Sequence, residues 1–92
     1  MYAMVGEVRL DPARRDDAEK LLNEMVVPAA KQAPGFVAGW WTRSDDGTTG
    51  RSMIIFETEE AARQMAEMAG SPPPDSPVTP VRMEVLRVLA HA

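Results

Sequence analysis

Residues 53–56 read Met-Ile-Ile-Phe, apolar without a break, and they constrain this chain more than any other stretch. Neighbouring side chains on a strand point to opposite faces, so a strand here demands cover on both sides of its sheet. Residues 36–43 hold a second apolar segment with the adjacent pair Trp40 and Trp41, and the intervening residues 44–50 carry Asp46-Gly47, a dipeptide that favours chain reversal. A β-hairpin is therefore predicted within residues 34–57, with strands at 36–43 and 51–57. The two indoles point to opposite faces of it. By parity Trp40 goes with Phe36 and Ala38, and Trp41 with Val37, Gly39 and Arg43. One Trp is expected in a cavity between sheet and helices and the other in a subunit interface, and the sequence leaves open which is which.

The flanking segments supply cover for one face only. In residues 2–10, Tyr2, Met4, Val8 and Leu10 share one parity and Ala3, Val5, Glu7 and Arg9 the other, which predicts a first strand. Asp11-Pro12 then starts a helix, because the carboxylate accepts from free amides and proline is pre-shaped for the first helical position. Ala18, Leu21, Leu22, Met25, Val26 and Ala29 recur at three- and four-residue steps and form its apolar stripe. Pro28, lacking an amide, predicts a kink or a loosened turn nearby. After the hairpin, Thr58 is placed to cap a second helix with Glu59 and Glu60 in its first turn. Its inward face is Ala62, Met65, Ala66 and Ala69, with Met68 at the edge, and Gly70 ends it. Residues 71–80 contain five prolines and are expected to be a stiff, irregular loop. Residues 81–89 alternate again as a fourth strand. The order βαββαβ predicts a single α+β domain over residues 1–92 with a ferredoxin-like fold, a four-stranded antiparallel sheet carrying two helices on one face. The other face is expected to meet a second copy of the chain, making a homodimer. Size points the same way, since 92 residues conceal only about 60% of the unfolded surface.

Charge and composition narrow the function. The net charge is −4 with no basic stripe, which argues against nucleic acid, and no apolar run approaches membrane-spanning length. A cytoplasmic protein is expected. Absence of cysteine removes thiolate chemistry. The chain has no phosphate-cradling glycine loop, no histidine-carboxylate cluster at metal spacing and no serine nucleophile with a histidine base, so hydrolase, kinase and metalloenzyme readings fall away.

The candidates left are a small set of aromatic, amide and guanidinium groups. Trp40 and Trp41 are suited to stack on a flat ligand, and equally to core or interface packing. Asn23 falls at the margin of the first helix's stripe, where its amide can reach a ligand or water. Arg43 and Arg82 are candidates to hold a phenolate or carboxylate, or are strand-end charges in water. Tyr2, Phe36, Met25, Met53, Phe56 and Met65 are expected to line an apolar ligand site. Met4 and Met83 also fall on buried faces, and flexible thioethers suit both a core and an adaptable pocket. His91 lies next to the last residue and is expected to be part of a tail. Asp16, Asp17, Asp45 and Asp46 serve a helix start and a turn.

Three segments, VVPAAKQAPGF, AGWWTR and IIFETEEAARQM, resemble the antibiotic biosynthesis monooxygenase family of the dimeric α+β barrel superfamily, a likeness that spans nearly the whole chain. The resemblance implies a dimeric barrel and a pocket that works without a conventional flavin or metal. Its better understood members form quinones from aromatic polyketides or degrade haem. The former act on electron-rich phenols, with Trp, Tyr, Arg and Asn side chains lining the site. By that likeness Trp40, Trp41, Asn23 and Arg43 are expected to be catalytic, and no cofactor is expected. The haem degraders carry an Asn, Trp and His set, whereas here the single histidine is His91 and the single asparagine, Asn23, lies on a helix. The expected function is cofactor-independent oxygenation of a small aromatic or polycyclic phenol. A non-catalytic homodimeric module that binds an apolar metabolite, or an isomerase or cyclase, is the alternative on the same fold.

Overall fold

A computed structural model describes residues 1–92. Four strands, β1 (Tyr2–Leu10), β2 (Phe36–Arg43), β3 (Thr49–Phe56) and β4 (Val78–Arg87), form one antiparallel sheet in the order β2-β3-β1-β4. This is the predicted ferredoxin-like arrangement. The doubly apolar segment thus lies in β3, an inner strand, where neither edge is free. Met4 pairs with Ile54 on one side and Val85 on the other, and these side chains belong to the face that the helices cover. Ala3, Ile55 and Leu86 pair across the opposite face.

The first helical region follows its capping chemistry closely. Asp11 Oδ1 accepts from the Ala13 amide at 3.0 Å, and a 3-10 turn over Pro12–Arg14 leads into α1 (Arg15–Leu21). Pro28 makes its effect felt one turn early. Residues Leu22–Val26 wind as a π-helix, with the Val27 amide bonded to the Leu22 carbonyl, before α2 (Val27–Gln32) resumes normal winding. A proline ring collides with the carbonyl four residues back, here that of Glu24, and a wider turn relieves the collision. α3 (Glu59–Ala69) begins where the Thr58 hydroxyl accepts from the Ala61 amide at 3.2 Å.

Two strand starts and one register depart from expectation, each for a backbone reason. β4 starts at Val78, inside the segment expected to be irregular, and Pro80 is part of it. It is an edge strand, and its register with β1 shifts where Val8 meets Pro80 and Glu7 meets Arg82, so the missing amide falls at a bulge. β3 starts at Thr49, because the Ser44 amide donates to the Thr49 carbonyl and the Thr49 amide to the Ser44 hydroxyl. A second bulge, between Phe36 and Ala38, breaks the parity of β2. It puts Phe36 opposite Phe56, on the face of Trp41 and not that of Trp40.

The core is thin. Met4, Ala30, Ile54, Phe56, Ala62 and Met65 form its buried cluster, and only nine of the 92 residues are buried at all. Both faces of the sheet contribute to this. A cavity interrupts one, and no element of the chain covers the other, where Trp40, Met53 and Leu86 are exposed. No helix is long and apolar enough to cross a membrane.

The β2-β3 turn carries its own pH signature. Asp46 Oδ1 accepts from the Ser44 and Thr48 hydroxyls, both at 2.7 Å, and from the Thr48 amide at 3.0 Å, while Gly47 takes the left-handed φ of 76° that the reversal needs. These donors favour the ionised carboxyl and bring its pKa from 3.8 to about 2. A depressed folded-state pKa gives stability that is present above the unfolded value and lost as pH falls through the folded one. The wild type is therefore expected to have a higher urea midpoint than Asp46→Ala at pH 6, with the gap closing between pH 4 and pH 2; a constant gap would refute this account of the turn.

Candidate functional site

A cavity of about 620 Å³ opens between the sheet and the first helical region. Small residues on the strands make the room, since Gly6, Gly50 and Ser52 leave its floor low. The floor is then partly resurfaced by thioether, because a Cβ on Gly6 would stand 2.8 Å from Met83 Sδ. Met4, Met25, Met65, Met68 and Met83 all line the cavity, five of the seven methionines in the chain. That clustering favours an adaptable apolar surface over simple gap-filling.

The indole is seated by the residue two positions before it. A Cβ on Gly39 would lie 2.7 Å from Trp41 Cη2 and 2.9 Å from Cζ3, so the ring lies along the strand over the space that glycine leaves. Trp41 faces the cavity and is half-buried; Trp40 points the other way and is 58% exposed. Trp41 is thus the indole of the cavity, and Trp40 lies on the uncovered face.

Polar groups gather at one rim. Arg43 at the end of β2 donates from Nη1 to Glu19 Oε1 at 2.6 Å, and Arg15 approaches the same oxygen at 3.9 Å. Glu19 and Asn23 are four residues apart on the helical region and so lie on neighbouring turns of one face. The Arg43 hydrogen bond, aided by its charge, holds the Glu19 carboxyl below its ordinary pKa. Glu19 is thus an anion at neutral pH and a weak base. Arg51 also borders the cavity, but its guanidinium crosses to Glu7 at 3.4 Å.

Of the residues singled out from sequence, the cavity brings together Met4, Asn23, Met25, Trp41, Arg43, Met65 and Met83. The others lie elsewhere. Phe56 is fully buried in the core with Phe36 edge-on to it, the ring centroids 6.2 Å apart. Tyr2 packs against that core and under the Arg87 guanidinium, 5.1 Å from its ring. Trp40 and Met53 are cross-strand partners on the uncovered face, and Arg82 is exposed with its guanidinium 2.6 Å from Glu84. Parity explains the placement of Trp40 and Met53: odd positions of β3 and even positions of β2 beyond the bulge face away from the helices. Glu19, Ser52 and Met68 were not singled out. Four-residue spacing from Asn23 was the available signal for Glu19, masked by its place among charged residues on the helix surface.

No family model matches the chain, and no curated protein matches it in sequence. Solved structures do match in fold. The heme-degrader MhuD from Mycobacterium tuberculosis, with two hemes bound in its active site, superposes with a TM-score of 0.74 at 14% identity, over 100% of this chain and 99% of that one. HapK from Hahella chejuensis gives 0.72 at 14% identity, over 100% and 96%. A monooxygenase from the gene ActVA-Orf6 of Streptomyces coelicolor, in complex with the ligand Nanaomycin D, gives 0.59 at 22% identity, over 99% and 91%. With its strand order, its helices on one face and its cavity beneath them, the chain shares the ferredoxin-like α+β fold of these three structures.

Proposed function

We propose that this protein is a cofactor-independent oxygenase that takes a small aromatic or polycyclic phenol into the cavity beneath Trp41, and that it acts as a homodimer. The observation that carries the reading is one constellation, an apolar cavity with a seated indole on its floor and an amide and a guanidinium at one rim. Trp41 and the methionines hold the flat ring. Asn23 and Arg43 address its hydroxyl and stabilise negative charge as the phenol loses its proton. An electron-rich phenolate then passes an electron to dioxygen. Recombination forms a C–O bond, the proton that the phenol gave up to solvent is taken back on the outer peroxide oxygen, and loss of water breaks the O–O bond and the ring C–H bond, so phenol and O2 become quinone and water. Binding expels water from the cavity and limits escape of the radical pair. The likeness to a monooxygenase with a bound Nanaomycin D supports the ligand class through fold alone. The haem chemistry of MhuD fits less well, for no histidine borders the cavity and His91 lies beyond the end of β4.

The homodimer rests on the uncovered sheet face. Trp40, Met53, Ile55 and Leu86 leave there an apolar surface for which a second copy is the economical cover.

Titration with hydroxylated naphthalenes and anthracenes, followed by oxygen uptake, tests the reading. Binding with about one O2 consumed per quinone formed is the expected result. Binding without oxygen uptake would instead support the non-catalytic module, for which the small number of polar groups at the rim speaks.

A further inference from the structure

Arg43, the cation proposed to meet the ligand, is already paired with a carboxylate. Three charged residues border the cavity, Glu19, Arg43 and Arg51. Arg51 is directed to Glu7, so the rim itself presents one cation and one anion in contact, Nη1 to Oε1 at 2.6 Å. Only one nitrogen of the Arg43 guanidinium bonds to Glu19, which leaves its other donors for a ligand.

We propose that Glu19 is a specificity-determining residue that makes the rim select neutral hydroxylated aromatics and reject carboxylated ones. This deepens, and rests on, the reading of the cavity as a phenol site. A phenol hydroxyl is both donor and acceptor, so it can donate to Glu19 while accepting from Arg43 or Asn23, leaving the ion pair in place. A carboxylate only accepts. It has to share the guanidinium with Glu19 at close range or displace it, and like charges so placed repel. Glu19 thereby occupies the seat that an anionic ligand would otherwise take. Arg15, at 3.9 Å, is the other charged group near it and keeps the Glu19 side chain from being a bare anion when a ligand approaches.

Isothermal calorimetry with 2-naphthol and 2-naphthoate at pH 7, on the wild type, Glu19→Gln and Glu19→Gln/Arg43→Gln, tests the proposal. Glu19 is exposed on a helix, so the Gln variant is expected to fold, which circular dichroism checks. The wild type is expected to bind naphthol at least tenfold more tightly than naphthoate. Glu19→Gln should gain about tenfold for naphthoate and so raise the naphthoate-to-naphthol affinity ratio, and the double variant should lose the gain. Equal changes for both ligands, or no gain for naphthoate, would overturn the role of Glu19 while leaving the phenol site intact. Failure of both ligands to bind any variant would overturn the phenol site itself, and this role with it.

Discussion

Ile54→Glu is expected to leave no folded protein, whereas Ile55→Glu, one position along the same strand, is expected to give a folded monomer. Ile54 is 1% exposed and packs in the cluster with Met4, Phe56 and Met65. A carboxylate placed there displaces the apolar contacts of that cluster, and a buried charge left without a partner costs several kcal/mol. A domain of this size is stable by only about 5–15 kcal/mol, and one with so thin a core falls low in that range. Ile55 stands on the uncovered face, between Ala3 of β1 and Ala38 of β2, with solvent available to a charge when no second copy is present. Circular dichroism and urea titration report the fold, and sedimentation reports the assembly. A wild-type-like dimer from Ile55→Glu would sink the proposed sheet-to-sheet interface, and a stable Ile54→Glu would sink the account of the core.

That contrast was half legible in the sequence. The unbroken run of residues 53–56 states that two faces need cover, and βαββαβ order states that the helices can supply one. Periodicity alone does not say which parity meets the helices, because both faces of β3 are apolar. The bulge between Phe36 and Ala38 compounds this, moving Phe36 to the face of Trp41, and nothing in residues 36–38 announces it. Pro80 misled in the opposite direction, since a proline argues against a strand until the strand is known to be an edge. The kink near Pro28 was legible because its cause is local. Its form, a π turn over Leu22–Val26, was not, because several ways of relieving the same collision exist.

The site follows the same division. Asn23, Trp41 and Arg43 were named for their chemistry, and the fold brings them to one cavity from a helix and a strand. Glu19 escaped notice because a charged residue on a helix surface looks solvated until a partner arrives from elsewhere, here from Arg43, distant in sequence. Recognition of polar pairs is a tertiary event, and composition carries little trace of it.

The seat of Trp41 gives the second large effect. Trp41→Ala is expected to weaken binding of a hydroxylated naphthalene about thirtyfold, the equivalent of about 2 kcal/mol for losing an indole face from an apolar site. Trp40→Ala should change that affinity less than twofold and weaken the dimer instead. Gly39→Ala is the finer probe. Gly39 does not have a positive φ, so alanine is not strained by the backbone, and the added methyl meets mainly the Trp41 ring, 2.7 Å from Cη2. The ring is half-buried and borders the cavity, so the fold is expected to survive with a urea midpoint near that of the wild type. Ligand affinity should fall about tenfold because the indole no longer lies along the floor. In a Trp40→Phe background, where Trp41 is the sole indole, its emission should shift to the red as it turns toward water. Unchanged emission and affinity in Gly39→Ala would mean that the glycine does not position the ring, while equal losses in the Trp40 and Trp41 variants would mean that the ligand does not occupy the cavity under Trp41.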